Sequence, residues 1–224
     1  REGWYQVQDE ASMLIARLLD PQPGERILDT CAAPGGKTTH IAALSENRAT
    51  ITALDLHEHR VDLIRQGAVR LGCEKIESRQ CDLTLPLDFL EPESFDRILV
   101  DAPCSGLGVL RRNPESRWRR QPADVRQLAT LQEAILGNVA PLLKPDGVMV
   151  YSLCTFTSRE TEDVVHAFLD RHKNFVREDL HEVVPKEWEP LLTASGELRS
   201  WPHRHGGMDG FFAVRLRKQV EPTL

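Results

Sequence analysis

Short apolar runs alternate with helix-patterned stretches along most of this 224-residue chain. Strands buried on both faces read as continuous apolar runs, and parallel strands need a crossover, usually a helix, between them. Arg26–Asp29, Thr50–Leu56, about Ile76–Cys81, Phe95–Val100 and Val148–Tyr151 read as five such strands. Gln8–Leu19 reads as a helix with Met13, Ile15, Ala16, Leu18 and Leu19 apolar, ended by Pro21, Pro23 and Gly24. Further helices are expected from about Lys37 to Leu44, from strand two through Leu71, and along Leu128, Leu131, Ile135, Val139 and Leu142, whose spacing shares one face. Pro145-Asp146-Gly147 reads as a turn into strand five, and Thr157 and Glu160 have the spacing of a capping box. His172–Arg199 reads as strand and loop, and Gly210–Arg217 alternates as a closing strand should. The expected class is α/β, a mostly parallel sheet with helices on both faces.

The length and the 41% hydrophobic content suit one domain with a sizeable core. No run of 18 apolar residues exists, so no membrane partner is expected, and the N-terminus lacks the order of a signal peptide. The five cysteines are odd in number and dispersed, with no C-x-x-C pair and no Cys/His metal spacing. Neither a disulfide framework nor a metal site is expected, and a reducing, cytoplasmic setting fits. The net charge of −6 argues mildly against a nucleic-acid partner. Its distribution argues the other way, because Arg111 to Arg126 holds six arginines against Glu115 and Asp124, a local excess of four positive charges.

Leu28-Asp29-Thr30-Cys31-Ala32-Ala33-Pro34-Gly35-Gly36-Lys37-Thr38 is a strand running through small residues into a helix. Such a turn lets backbone approach a ligand at a helix N-terminus. Gly36-Lys37-Thr38 alone suggests a nucleoside-triphosphate hydrolase, but the P-loop needs glycine where Cys31 stands, and G-x-G-x-x-G fails too. Asp55 ends strand two about 20 residues beyond the glycines, placed as the acid that accepts from ribose hydroxyls, and Asp82 ends strand three, placed to accept from an adenine amine. An acidic adenosine site without a phosphate cradle suits S-adenosyl-L-methionine. Cys104 and Cys154 each follow a buried strand, so both thiols are expected at the carboxyl edge of the sheet, where ligands of open α/β sheets bind. Cys31, Cys73 and Cys81 read as buried, unreactive thiols, although Cys31 lies in the glycine turn.

Cys31-Ala32-Ala33-Pro34-Gly35-Gly36-Lys37, Asp101-Ala102-Pro103-Cys104-Ser105 and the strand-end Cys154 together resemble the bacterial RNA cytosine-5 methyltransferases of the Sun/Fmu type. Gln6-Val7-Gln8-Asp9-Glu10-Ala11-Ser12, Gly108-Val109-Leu110-Arg111-Arg112-Asn113-Pro114 and Gly207-Met208-Asp209-Gly210-Phe211-Phe212 extend the resemblance over about residues 5 to 217. It implies a Rossmann-like methyltransferase fold with an antiparallel last strand, and it implies S-adenosyl-L-methionine bound by residues 31–37 with Asp55, Asp82 and Asp101. It also implies that Cys154 adds to cytosine C6, that Cys104 helps release the product, and that Asp101 holds the cytosine N3 edge. DNA cytosine methyltransferases use the Pro-Cys thiol as nucleophile, so two cysteines favour RNA.

On this reading Arg111, Arg112, Arg117, Arg119 and Arg120 hold RNA phosphates and Trp118 stacks a base. The expected substrate is 16S ribosomal RNA. Methylation of transfer RNA and a non-catalytic RNA-binding module stand as alternatives. Leu153-Cys154-Thr155 departs from the family's common Thr-Cys-Ser but keeps the thiol. The expected organisation is a lead-in helix in residues 1–20 and a catalytic domain in residues 21–224, without the family's N-terminal helical RNA-binding domain and acting as a monomer.

Overall fold

The structure is a computed structural model that describes residues 3–220. The outermost bounds of the expected segments, residues 1–2 and 221–224, lie outside the described residues. In chain order the elements are α1 (Glu10–Leu19), β1 (Arg26–Asp29), α2 (Gly36–Leu44), β2 (Thr50–Asp55), α3 (Glu58–Leu71), β3 (Ile76–Gln80), β4 (Phe95–Asp101), α4 (Ser116–Arg119), α5 (Pro122–Val139), β5 (Leu143–Leu153), α6 (Glu162–Arg171), β6 (Phe175–Arg177), α7 (Leu180–Val183), β7 (Leu198–Arg199) and β8 (Phe212–Lys218).

The sheet runs β3-β2-β1-β4-β5-β8-β6, with β7 also paired to β8. The first five strands are mutually parallel, while β8 runs antiparallel to β5, β6 and β7. The chain leaves β1 towards β2 and β3 and returns on the other side through β4 and β5. The crevice beyond the carboxyl ends of β1 and β4 is therefore the topological switch point, where such sheets bind ligands.

Side-chain alternation divides the core between two faces. Ile98, Val100, Met149 and Tyr151 pack with Ile135, Leu136 and Val139 of α5 and Phe168 of α6. Leu99, Val148 and Val150 pack on the opposite face with Ile15 and Leu19 of α1 and Ile41 of α2. The expected lead-in helix thus shares this core. Asp9 caps it by accepting from the Ala11 amide at 3.0 Å. Met13 is on its outer face, 37% exposed, and Ala11 occupies a buried position instead.

Three local readings differ from the structure. β5 starts at Leu143, so Pro145-Asp146-Gly147 lies within the strand as an irregularity where the register against β4 shifts between Phe95 and Arg97. Thr157 and Glu160 do not cap α6, which begins after Thr161, because the Glu160 carboxylate turns inward to Ser105. The stretch 172–199 holds β6, α7 and β7 with a 3-10 turn at Lys186–Leu191.

Candidate active site

The turn after β1 opens the site. Gly35 sits at φ 100°, a left-handed conformation, and a Cβ there would approach the Ile64 backbone at 3.2 Å, so glycine is required. Asp55, buried at the end of β2, accepts from the Ala33 amide at 3.3 Å and the His57 amide at 3.2 Å, and pairs with Arg60 at 3.4 Å. It braces the turn from behind. Asp82 lies exposed beyond β3, and one of its oxygens accepts from both the amide and the hydroxyl of Thr84. Those bonds lower its pKa. A cavity of about 180 Å³ beside the turn is lined by Asp29, residues Cys31 to Pro34, Gly36, Lys37 and Asp101, with Gln6, Gln8 and Ser12 closing it from the N-terminal segment.

Lys37 and Asp101 face each other across the switch point at 2.6 Å, and the Ser152 hydroxyl donates to the second Asp101 oxygen at 2.8 Å. Burial by itself would lower the Lys37 pKa, but the Asp101 charge and hydrogen bond outweigh it and raise it. The partner of Lys37 is thus Asp101.

The thiols of Cys104 and Cys154 stand 3.3 Å apart, both free. A hydrogen bond between two thiols distinguishes them. Cys154 is lowered from the ordinary cysteine pKa by the bond to Cys104, against its burial and the Asp101 charge, with Lys37 adding a smaller attraction. Cys104 is raised well above that value by the same bond and by burial. The pair thus favours the thiolate on Cys154, with Cys104 as the side that keeps its proton. Burial pushes the Cys31 thiol up as well, which fits an unreactive side chain.

Two distant segments fix the Cys154 backbone. The Gly108 amide donates to the Cys154 carbonyl at 2.9 Å, and the Gly210 amide donates to the Gly108 carbonyl at 2.9 Å. Arg112 ties these segments together, binding Asp209 at 2.7 Å and Asp9 at 2.6 Å. Arg120 donates to the Ser105 carbonyl at 2.9 Å. Two of the arginines expected at RNA thus already hold the site's own loops. Arg117 and Arg119 lie exposed beside Trp118, which is 81% exposed, while Arg111, with 56% of its side chain exposed, lies 3.8 Å from Asp209.

Reading the sequence missed Ser105, Gln132, Thr155 and Glu160, which surround the thiols, and the part of Asp29. One Asp29 oxygen accepts from the Thr38 hydroxyl at 2.7 Å; the other is buried without a partner and the residue is 1% exposed. Burial raises its pKa from 3.8 to about 7, against the Thr38 bond and with the help of the Asp101 charge. The folded state then holds a proton that the unfolded chain releases near pH 3.8. Stability is fully present below that pH and falls as pH rises towards 7, by about 4 kcal/mol. Urea unfolding from pH 4 to 8 is expected to show this fall, and Asp29→Asn is expected to flatten it. An unchanged pH dependence in the variant would refute the assignment.

No helix among the described residues is long and apolar enough to cross a membrane, and none of their His, Cys, Asp and Glu side chains form a group that could hold a metal ion. The family model described as "16S rRNA methyltransferase RsmB/F" matches residues 16–217. A Bacillus subtilis (strain 168) protein named "Probable ribosomal RNA small subunit methyltransferase B" is 45% identical over 220 residues, 98% of this chain and 49% of that protein. The "Ribosomal RNA small subunit methyltransferase B" of Serratia proteamaculans is 40% identical over 222 residues, 97% of this chain and 48% of that protein. The crystal structure of NSun6 from Pyrococcus horikoshii with SFG matches with a TM-score of 0.84 at 33% identity, covering 98% of this chain and 54% of that one. The chain spans about half the length of the curated relatives it matches. The Rossmann-like methyltransferase fold expected from the sequence is the fold observed.

Proposed function

This chain belongs to the 16S rRNA methyltransferase RsmB/F family, and from that premise we propose that it methylates C5 of a cytosine in RNA, with 16S ribosomal RNA as substrate and S-adenosyl-L-methionine as methyl donor. The observation that carries this reading is the thiol pair 3.3 Å apart next to the 2.6 Å Lys37–Asp101 pair, at the carboxyl ends of the central strands.

The residues present fit the donor. The cavity combines a glycine turn, two acids and Lys37, and one buried Asp29 oxygen lacks a partner there. In this proposal residues Cys31, Ala32, Ala33, Pro34, Gly35, Gly36 and Lys37 hold it together with Asp55, Asp82 and Asp101. When bound it supplies an electrophilic methyl group.

Cytosine C6 is weakly electrophilic and needs a strong nucleophile, which the Cys154 thiolate provides. Its addition places an electron pair on C5. The addition is completed by a proton at N3; Asp101 holds that N3–H edge and stabilises the protonated adduct, and Lys37 keeps Asp101 in place. C5 then takes the methyl group. A base then takes the C5 proton, which restores the C5–C6 double bond and expels Cys154 as the thiolate. The hydrogen bond from Cys104 stabilises the departing thiolate, which is how Cys104 assists release. Arg111, Arg117 and Arg119 take RNA phosphates and Trp118 stacks a base, while Arg112 and Arg120 support the loops beneath. The protein acts as a monomer in the cytoplasm.

Incubating the protein with S-adenosyl-L-methionine and either 16S ribosomal RNA or transfer RNA, followed by digestion and mass spectrometry of nucleosides, tests the proposal. 5-Methylcytidine is expected from the ribosomal RNA. Product from transfer RNA alone would move the substrate, and binding without product from either would make the protein a non-catalytic RNA-binding module.

A further inference from the structure

We infer that Glu160 is a positioning residue for both thiols, a buried clamp tying the loop that carries Cys104 to the loop that carries Cys154. The consequence for methyl transfer rests on the functional reading above; the clamp itself does not.

Glu160 is 0% exposed, and donors converge on both of its oxygens. Oε1 accepts from the Ser105 amide at 2.7 Å and from Gln132 Nε2 at 3.3 Å. Oε2 accepts from the Ser105 hydroxyl at 2.6 Å and the Thr157 hydroxyl at 2.7 Å. Ser105 follows Cys104 in the chain. Its hydroxyl also lies 2.7 Å from that of Thr155, which follows Cys154. Gln132 Nε2 donates to the Pro103 carbonyl at 2.8 Å, so the residues on both sides of Cys104 are held. The Tyr151 hydroxyl donates to the Glu160 carbonyl at 2.7 Å, anchoring the clamp to β5.

A buried carboxylate is costly unless donors surround it, and a plain turn needs no such group. What this one does is fix the residue after each cysteine relative to the other. The sulfur–sulfur contact of 3.3 Å depends on that registration. Without Glu160, the Ser105 amide and hydroxyl lose their acceptor, the loop relaxes, and Cys154 loses the donor that favours its thiolate. Facing Cys154 are Cys104 from the loop after β4, Asp101 at the end of β4 and Lys37 from α2; Cys104 also faces Glu160 and the Tyr151 hydroxyl.

The test is the pH profile of Cys154 alkylation by iodoacetamide in the whole chain, read by mass spectrometry of its peptide. In Glu160→Ala the inflection is expected to move up by about one pH unit, making alkylation at pH 7 roughly tenfold slower. Cys104→Ala, which removes the donor outright, should shift the same way. Glu160→Gln keeps an oxygen for the Ser105 amide and should recover part of the rate. Ser105→Ala leaves Glu160 in place but removes the hydroxyl bridge; it should also shift upward, and it decides the matter if Glu160→Ala does not fold. Profiles of Glu160→Ala and Ser105→Ala that superimpose on the wild type overturn the clamp. Methyl transfer measured on the same samples separates the two ideas. Shifted alkylation in the variants, together with a wild-type protein that does not methylate RNA, supports the clamp and removes the functional reading. Methylation with unshifted alkylation does the reverse.

Discussion

Cys154→Ala is expected to give neither methylated RNA nor any covalent complex, while Cys104→Ala accumulates RNA bound to protein in a band that survives denaturing electrophoresis. The asymmetry follows from the site. The thiols are 3.3 Å apart, and the bond between them lowers Cys154 and raises Cys104. Removing Cys154 removes the attacking thiolate and with it the whole covalent route, a loss on the order of 10⁴-fold or more for a nucleophile. RNA binding should survive, because the exposed Arg117, Arg119 and Trp118 lie outside the thiol pair. Removing Cys104 leaves a nucleophile without the donor that helps it depart, so attack and methyl transfer outrun release. The band should depend on S-adenosyl-L-methionine. A trapped band in Cys154→Ala and none in Cys104→Ala would reverse the two roles.

Gly108→Ala should cripple both stability and catalysis without touching either thiol. A Cβ at Gly108 would lie 1.9 Å from the Gly210 carbonyl oxygen and 2.9 Å from the Cys154 carbonyl oxygen. Neither is the movable end of a side chain, so the backbones must separate. Those same backbones carry the 2.9 Å bonds that hold the Cys154 carbonyl. The expected loss is about 2–4 kcal/mol of stability in urea unfolding. Turnover should fall roughly 100-fold, the scale for a reacting group displaced by about 1 Å. Gly67→Ala in α3, where nothing lies within 4 Å of the new Cβ, is the comparison. It should stabilise the helix by about 0.5–1 kcal/mol. Equal behaviour of the two variants would remove the Gly108–Gly210 contact from the account.

The central strands of the sheet were legible because they are short apolar runs punctuated by turn residues, as in Arg26–Asp29 and Phe95–Asp101, whereas β6 and β7 carry no such run. The positions of Lys37, Asp101, Cys104 and Cys154 followed from those strands, since chemistry gathers at their carboxyl ends. What pairs with what was not legible. Glu160 has the local spacing of a capping residue, yet its carboxylate binds Ser105, 55 residues away. Arg112 belongs to an arginine-rich segment that reads as an RNA surface, yet Asp9 and Asp209 hold it from the two ends of the chain. Local rules see neither partner, because only the folded topology brings them close. Pro145-Asp146-Gly147 differs in another way: its residue types signal a turn, and it forms an unpaired irregularity inside β5, between the Leu143 and Val148 pairings with β4. Asp55 was expected at a ribose, and its bonds to the Ala33 and His57 amides are partners that the strand pattern did not show.

The central claim is that Cys154, with Cys104 as its donor, bonds to cytosine C6 in RNA. RNA carrying 5-fluorocytosine tests it on the unmodified protein, because fluorine at C5 cannot leave as a proton and the adduct persists after methyl transfer. The complex formed with S-adenosyl-L-methionine is digested and the nucleotide-bearing peptide sequenced by mass spectrometry. The account predicts a methylated nucleotide on Cys154. A nucleotide on Cys104, or no covalent complex under conditions where unmodified RNA is methylated, would contradict it.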